Sequence, residues 1–216
     1  RSKLIADFAV PSERITVAPI SVRCNAQSVT RDVTKETFVF LGVGRLVKVK
    51  RFYLSLKAFS KIAEKMPKAE LWIAGEGEER GELKRIITQK GLKDKVKLLG
   101  WQDNLAAVYA QADCLVLSSD SEGYGLVAIE AMQSCLPVIM TDVGLAGETV
   151  VNEENGLVVP AGDKDALGQA MLRIFLDTGL REKLVKGAKL AAGSLPSEEE
   201  VWELYVKSWE KALRLA

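Results

Sequence analysis

The chain has 216 residues, of which 48% are apolar and 27% are charged. That apolar content is enough for a buried core, so we expect a globular protein with one large domain or slightly more. Its 30 basic and 29 acidic residues give a net charge of +1, which argues against nucleic acid as a partner. Because the sequence contains no histidine, Ser–His and Cys–His catalysis are excluded, and so are most zinc sites.

The cysteines and the hydropathy of the chain give two further expectations. Cys24, Cys114 and Cys135 are odd in number and lack the spacing of a metal site, and two of them lie in apolar runs, which predicts inert core thiols. No apolar run of the sequence approaches the ~18 residues of a membrane span, and the first residues lack the pattern of a signal peptide. We therefore expect a cytoplasmic protein.

The first 35 residues differ in pattern from the rest of the chain. They open in what looks like the middle of an element, contain a short apolar strand at residues 15–19, and continue as a polar stretch. We predict that residues 1–35 are a connector with the remnant of a preceding amino-terminal domain. The chain is then expected to be part of a longer protein.

From residue 36 to residue 196, predicted strands alternate with predicted helices. Strands are expected at residues 38–44, 70–74, 96–99, 114–117, 136–140 and 157–159. Helices are expected at residues 52–65, between 81 and 91, around 105–109, from 125, from 163 and at 180–192. Alternation without internal repeats predicts an α/β domain, a doubly wound parallel sheet with helices on both faces.

A basic segment follows the first strand directly. It contains four cations at a strand-to-helix junction, namely Arg45, Lys48, Lys50 and Arg51. Ligands bind at the carboxyl ends of parallel strands, and two cations that converge on one loop suit a diphosphate. The alternative is a solvated basic turn, an interpretation that fits Lys48 and Arg51 better than Arg45. Arg45 comes right after the strand and is therefore fixed near the edge of the sheet.

The stretch from residue 118 to residue 130 runs from a buried strand through a glycine-containing loop into a helix. The unpaired amides and partial positive charge of a helix N-terminus favour an anion, so we expect a phosphate there. Gly123 and Gly125 allow a ligand to approach the backbone. Glu130, roughly 7 Å along the helix at about 1.5 Å per residue, can then accept two ribose hydroxyls. The alternative is a simple turn in which Glu122 and Glu130 are solvated.

Two further loops carry glycines at strand ends. Gly75 and Gly77 imitate a dinucleotide-binding fingerprint, but their spacing is one residue too long and the neighbouring glutamates would repel a pyrophosphate. We expect these glycines to make a tight turn or to let the backbone approach a ligand held by other loops. Gly100 ends the third strand and precedes Trp101, which either stacks on a base or caps the core. The core interpretation is favoured, since tryptophan is mostly buried.

The last segment, residues 197–216, is predicted to be one amphipathic helix. Ser197 and Glu200 form a capping-box sequence at its start. The helix carries a stripe at helical spacing, consisting of Trp202, Tyr205, Trp209 and Leu213. We expect this stripe to pack on the domain, with docking on an absent partner domain as the alternative.

Four sequence signatures occur in one order along roughly residues 36 to 213. They are Gly44-Arg45-Leu46 with Lys50, Glu122-Gly123-Tyr124-Gly125 with Glu130, Pro137-Val138-Ile139, and Asn155-Gly156-Leu157-Val158-Val159-Pro160 with Gly162-Asp163. This series resembles the carboxyl-terminal, donor-binding domain of retaining glycosyltransferases of family 4, the group 1 glycosyl transferases with the GT-B fold.

The resemblance implies a Rossmann-like domain that binds a nucleotide-sugar as one half of a two-domain enzyme. Arg45 and Lys50 would hold the diphosphate of the donor and serve catalysis. Glu122 would contact the donor sugar, and Glu130 would accept the ribose hydroxyls. Other donor-binding positions are expected in the surrounding loops, at Gly44, Gly75, Gly77, Gly100, Trp101, Gly123, Tyr124, Gly125 and Leu126.

The resemblance further implies transfer of a hexosyl group from a UDP or GDP sugar to an acceptor, without a metal or other cofactor. The missing amino-terminal domain would bind the acceptor, so the present chain is expected to bind the nucleotide and to transfer nothing by itself. Peripheral contact with a membrane through that domain is left open. The alternatives are a nucleotide-sugar epimerase or phosphorylase of the same fold, and a non-catalytic nucleotide-binding module.

Overall fold

The structure is a computed structural model that describes residues 11–16 and 36–214. The predicted strand at residues 15–19 lies outside this description beyond Thr16, as does most of the predicted connector. Residues 11–16 contain one turn of 3-10 helix, Ser12–Arg14. Of the described residues, 36–193 belong to one compact unit, whereas 11–16 and 194–214 belong to a second.

The larger unit is built on a sheet of six parallel strands. They are β1 (Phe38–Val43), β2 (Ala69–Ala74), β3 (Val96–Gly100), β4 (Cys114–Leu117), β5 (Val138–Thr141) and β6 (Gly156–Val159). Their order in the sheet is β3-β2-β1-β4-β5-β6, and every neighbouring pair is parallel. This order confirms the predicted doubly wound parallel sheet.

Helices follow the strands within a few residues of their expected places. They are α1 (Phe52–Ile62), α2 (Arg80–Gln89), α3 (Leu105–Gln111), α4 (Leu126–Gln133), α5 (Lys164–Leu176) and α6 (Thr178–Gly193). A 3-10 turn, Ala63–Lys65, extends α1 to the residues before Pro67. Asp163 caps α5 by accepting hydrogen bonds from two amides of the first turn, which is why that helix begins where the sequence indicates.

The core consists of two layers, one on each face of the sheet. Successive strand residues point to opposite faces, so Phe40 packs in one layer while Val39 and Leu41 pack in the other. The first layer joins the sheet to α1, α2, α5 and the first half of α6, and the second joins it to α3, α4 and the second half of α6. All strand residues from Val39 to Val43 are buried, as expected for a parallel sheet that is covered on both faces.

The cysteine expectation is confirmed for one of the three residues. Cys114 lies on β4 and is fully buried, and this burial raises the pKa of its thiol well above the usual range. Cys114 is therefore unreactive near neutral pH. Cys135 is half-buried and free, and Cys24 lies outside the described residues.

The second unit contains one long helix, α7 (Glu198–Arg214). The predicted capping box is present, because Ser197 Oγ accepts from the Glu200 amide at 3.2 Å and Glu200 Oε2 accepts from the Ser197 amide at 2.7 Å. Trp202 and Trp209 pack edge to face, with ring centroids 5.7 Å apart. The residues of the apolar stripe remain exposed or partly exposed, and the packing of the stripe on the domain stays a prediction.

The loops after β1, β2 and β3 are held together by backbone hydrogen bonds. The Gly75 amide donates to Gly100 O at 2.7 Å, and the Leu46 amide donates to Glu76 O at 2.8 Å. Gly75 has a φ of 140°, and a Cβ atom on it would lie 2.0 Å from Gly44 O. The glycine thus allows one loop to pass directly against the backbone of the next. The predicted close approach is real, but its partner is a neighbouring loop.

We expect Gly75→Ala to destabilise the protein by about 3 kcal/mol or more, because it adds a steric clash with Gly44 to an unfavourable φ. Urea denaturation measures this loss as a lower free energy of unfolding. Gly81→Ala is the matched control, since Gly81 lies in α2 with open space around its Cβ position. Equal stability of the two variants would contradict the close packing of these loops.

Candidate functional site

A cleft with a volume of about 470 Å³ opens at the carboxyl edge of the sheet. It lies beside the topological switch point, where β1 separates β2 from β4 and the loops diverge. The residues around it come from the loops after β1, β2 and β3 and from the start of α3 and α4. They are Val43, Gly44, Arg45, Ala74, Gly75, Glu76, Trp101, Gln102, Asp103, Leu105, Val127 and Glu130. Five of the predicted site residues, Gly44, Arg45, Gly75, Trp101 and Glu130, therefore line one cleft.

Lys50 and Glu122 form an ion pair between the loops after β1 and β4. Lys50 Nζ lies 2.7 Å from each carboxylate oxygen of Glu122, a two-point contact across 72 positions of the sequence. The Glu122 side chain is only 6% exposed and that of Lys50 is 21% exposed, so water screens this pair weakly. The structure thus joins two residues that the sequence placed in separate motifs.

Neighbouring groups fix the position of the Glu122 carboxylate. Ser119 Oγ donates to Glu122 Oε1 at 2.6 Å, and the hydroxyl of Thr141 in β5 donates to Ser119 O at 2.7 Å. A Cβ atom on Gly144 would lie 2.8 Å from Glu122 Cβ, so the loop after β5 also packs directly against this side chain. Both oxygens of the carboxylate accept hydrogen bonds, which holds Glu122 in one orientation.

A second set of contacts positions the segment that carries Lys50. The buried Ser118 hydroxyl lies 3.1 Å from Lys50 O and 2.9 Å from Arg51 O, and it accepts a hydrogen bond from the Ser55 hydroxyl of α1 at 2.9 Å. Arg51 forms an ion pair with Asp120. The loops after β1 and β4 are therefore connected through main-chain and side-chain contacts.

The start of α4 lies at the end of the loop after β4, the loop that carries Glu122 of the Lys50–Glu122 ion pair. Gly125 has a φ of 85° and is the residue from which the helix begins, as the sequence indicated. Cβ atoms on Gly123 and Gly125 would meet nothing within 4 Å, so the space around this loop is open. The first amides of a helix have no partner within the helix and attract an anion. Tyr124 and Leu126 flank Gly125 at this position.

Glu130 faces the cleft from the second turn of α4. Tyr109 of α3 donates its phenolic hydrogen to Glu130 Oε2, with 2.7 Å between the two oxygens. The tyrosine is only 1% exposed and lies in the core layer that also contains Ala128 and Met132 of α4. A rigid core residue thus contacts the carboxylate that we predicted to bind ribose.

Trp101 corrects one of our sequence interpretations. We favoured a place in the core, yet the side chain is 71% exposed at the mouth of the cleft. The indole N–H donates to Asp103 Oδ1 at 2.8 Å, which keeps the ring at the surface. Trp101 comes immediately after the end of β3, where the chain leaves the buried sheet, and this explains the error.

Arg45 is exposed and lines the cleft. In the part of the chain that the structure describes, its guanidinium makes no ion pair or hydrogen bond. At this edge of the sheet, Glu122 pairs with Lys50 and Glu76 pairs with Arg80. Arg45 therefore places a positive charge in a cleft that also contains the carboxylates of Asp103 and Glu130.

Eight predicted site residues are not part of the cleft lining, namely Lys50, Gly77, Gly100, Glu122, Gly123, Tyr124, Gly125 and Leu126. A Cβ atom on Gly77 would lie 2.4 Å from Leu46 O, and one on Gly100 would lie 2.9 Å from Glu76 Oε1. Both glycines therefore serve the packing of the loops. Ser119 and Tyr109 were not predicted as site residues. Ser119 is adjacent to the glycine-containing loop and could have been found there, but nothing in the sequence connects Tyr109 with Glu130.

An Asp-x-Asp spacing, Asp163 to Asp165, is present in the sequence but lies away from the cleft. Asp163 caps α5, and Asp165 forms an ion pair with Lys61. Within residues 11–16 and 36–214, no three acidic or cysteine side chains group closely enough to hold a metal ion. No helix in the same ranges is long and apolar enough to cross a bilayer.

The sequence matches a known protein family and individual glycosyltransferases. Residues 26–191 match the family model described as "Glycosyl transferases group 1". A lipopolysaccharide core biosynthesis glycosyltransferase of Rhizobium meliloti is 28% identical over 211 residues, which are 98% of this chain and 58% of the relative. An uncharacterized glycosyltransferase of Methanocaldococcus jannaschii is 35% identical over 174 residues, 80% of this chain and 42% of the relative. The chain spans about half the length of these relatives.

A solved structure agrees with the fold. The pneumococcal O-GlcNAc transferase in complex with UDP and GlcNAc superposes with a TM-score of 0.75 at 25% sequence identity. The match covers 86% of this chain and 38% of that protein. The larger unit described above therefore has the architecture of one part of a GT-B glycosyltransferase.

We expect Lys50→Met to destabilise the protein by about 2 kcal/mol or more, because it leaves the Glu122 carboxylate nearly buried and without its cation. The double variant Lys50→Met/Glu122→Gln should recover part of this loss, since it removes both charges. Urea denaturation of the single and double variants gives the coupling free energy.

The exposed pair Lys61 and Asp165 provides the control for this cycle. Its side chains are 53% and 57% exposed, so solvent screens their attraction and no measurable coupling is expected. Additive losses for Lys50 and Glu122 would show that their ion pair does not stabilise the loops.

Proposed function

The chain belongs to the glycosyl transferases group 1 family, and we propose that its cleft binds a nucleotide-diphosphate sugar. In the whole protein, this donor would give its hexosyl group to an acceptor with retention of the anomeric configuration. The amino-terminal domain of that longer protein would bind the acceptor.

The observation that carries this proposal is that Arg45 and the N-terminus of α4 lie at one edge of the sheet. Arg45 lines the cleft, its guanidinium without an ion pair among the described residues, and the N-terminus of α4 lies in the loop that is joined to Lys50 through Glu122. Such an arrangement attracts a diphosphate, because an arginine fork and helix amides both donate hydrogen bonds to phosphate oxygens. The ligand of the pneumococcal transferase, UDP, has the same chemical character.

The ion pair with Glu122 leaves one N–H group of Lys50 able to bind a phosphate oxygen. A lysine ammonium has three N–H groups, and two of them are sufficient for the contacts with the two oxygens of Glu122. The third N–H can donate to a phosphate oxygen while the pair remains intact. When the bond between sugar and diphosphate breaks, negative charge grows on the leaving group, and Arg45, Lys50 and the helix dipole stabilise it. This chemistry requires no metal or other cofactor.

The remaining parts of the donor fit along the cleft. Glu130 would accept the ribose hydroxyls, and the loops that carry Gly75 and Trp101 would border the base. Trp101 offers an exposed aromatic face for stacking. Glu122 would contact the donor sugar, since a carboxylate oxygen can accept more than one hydrogen bond. A cytoplasmic location, which we expected from the sequence, is part of the proposal.

We expect Arg45→Ala to weaken nucleotide binding about 10-fold or more, because a charge-assisted hydrogen bond to a phosphate oxygen is lost. Glu130→Ala should weaken binding to a similar extent through the ribose. Isothermal titration calorimetry with UDP, GDP and ADP measures both effects and shows which base is preferred.

Lys48→Ala is the matched control for charge. Lys48 lies in the same basic segment and is exposed, but it does not line the cleft, so its loss should change the affinity by less than about threefold. The affinities should be the same with and without EDTA. Unchanged binding by Arg45→Ala and Glu130→Ala would favour a non-catalytic module or a ligand of another class.

Sugar transfer is the second test. We expect the 216-residue chain to bind the nucleotide without transferring sugar, because it spans about half the length of its relatives and the proposed acceptor-binding domain would lie in the remainder. The longer protein should transfer sugar, and proton NMR of the first product should show the anomeric configuration of the donor. Transfer by the chain alone would contradict the assignment of acceptor binding to another domain. An epimerised or phosphorolysed sugar would identify one of the alternative activities.

A further inference from the structure

We propose that Tyr109 is a positioning residue that orients Glu130 toward the ribose of the bound nucleotide. This inference rests on the proposed function, in which Glu130 accepts the ribose hydroxyls. It adds a residue from α3 that does not itself line the cleft and that binds the carboxylate of a lining residue.

The geometry of the contact supports this role. The Tyr109 hydroxyl lies 2.7 Å from Glu130 Oε2, a normal length for a charge-assisted O–H···O hydrogen bond. Because the phenol donates to one oxygen, the carboxylate plane is fixed and Oε1 remains available to a ligand. A glutamate at a cleft otherwise has three freely rotating side-chain bonds.

The rigidity of Tyr109 makes the contact effective. Its side chain is 1% exposed and belongs to the core layer beneath the sheet, together with residues of α4 on either side of Glu130. The phenol therefore cannot follow the carboxylate if the carboxylate moves. Fixing the carboxylate before the ligand arrives reduces the conformational entropy that is lost on binding.

A merely structural hydrogen bond would have a different consequence. If the Tyr109 hydroxyl only satisfied a polar group in the core, its removal would lower stability and would affect all nucleotides equally. If it orients Glu130, its removal specifically weakens the contact with the ribose. The preference for a ribonucleotide over its 2′-deoxy counterpart separates these two roles.

The experiment compares the dissociation constants of UDP, GDP and ADP with those of their 2′-deoxy forms by calorimetry. We expect the unmodified protein to bind its preferred ribonucleotide about 10-fold more tightly than the deoxy form, the equivalent of one hydrogen bond to a charged group. Tyr109→Phe should reduce this ratio at least threefold and change the affinity for the deoxy form by less than twofold. In the Glu130→Ala background, Tyr109→Phe should leave the ratio unchanged.

Tyr53→Phe is the matched control, because it removes a phenolic hydroxyl from α1, on the opposite face of the sheet. It should leave the ratio as in the unmodified protein. A full ratio in Tyr109→Phe would overturn the inference while the proposed function stands. A ratio near one in the unmodified protein, or one unaffected by Glu130→Ala, would instead overturn the ribose contact of the proposed function and this inference with it.

A second measurement keeps the test decisive if Tyr109→Phe does not fold. The chain has four tyrosines, so fluorine NMR of 3-fluorotyrosine-labelled protein gives a spectrum that can be assigned by Tyr→Phe changes at the other three. Saturation with the preferred ribonucleotide should shift the Tyr109 signal more than saturation with the deoxy form. Equal shifts would overturn the positioning role.

Discussion

The ion pair between Lys50 and Glu122 is the contact on which the arrangement of the site depends. It joins the loops after β1 and β4, the two strands between which the direction of the chain through the sheet reverses. Without it, a cation and a carboxylate would be left partly buried on opposite sides of the crevice. Ser119 donates a hydrogen bond to the carboxylate, and the backbone at Gly144 packs against the Glu122 side chain. The ion pair therefore also fixes the lysine relative to α4.

The same edge of the sheet combines a rigid part and an open part. Backbone hydrogen bonds and close glycine contacts hold the loops after β1, β2 and β3 against each other. The loop before α4 has open space at Gly123 and Gly125. This contrast suits a site that binds one end of an extended ligand between closely packed loops and leaves space for the other end beside the loop before α4. In the proposed function, the nucleoside would occupy the rigid side and the diphosphate would meet the helix terminus.

Family membership and geometry answer different questions about this chain. The match over residues 26–191 shows that it belongs to the glycosyl transferases group 1 family. The structure adds local facts that bear on the donor, such as the exposed indole of Trp101 and the contact of Tyr109 with Glu130. In the proposed function, another domain of the longer protein would bind the acceptor.

Local sequence signals were sufficient to predict the succession of strands and helices along the chain and the start of α4 at Gly125. Period-two and helical patterns, caps and glycines are local signals, and they act over a few residues. The sequence pattern also placed Arg45 at the end of a strand and Glu130 in the helix that begins at the same edge of the sheet. Tertiary structure alone decided that Lys50 pairs with Glu122, that Tyr109 reaches Glu130, and that Gly77 packs against a neighbouring loop. Each of these contacts joins residues far apart in the chain, and no local pattern encodes such a distance.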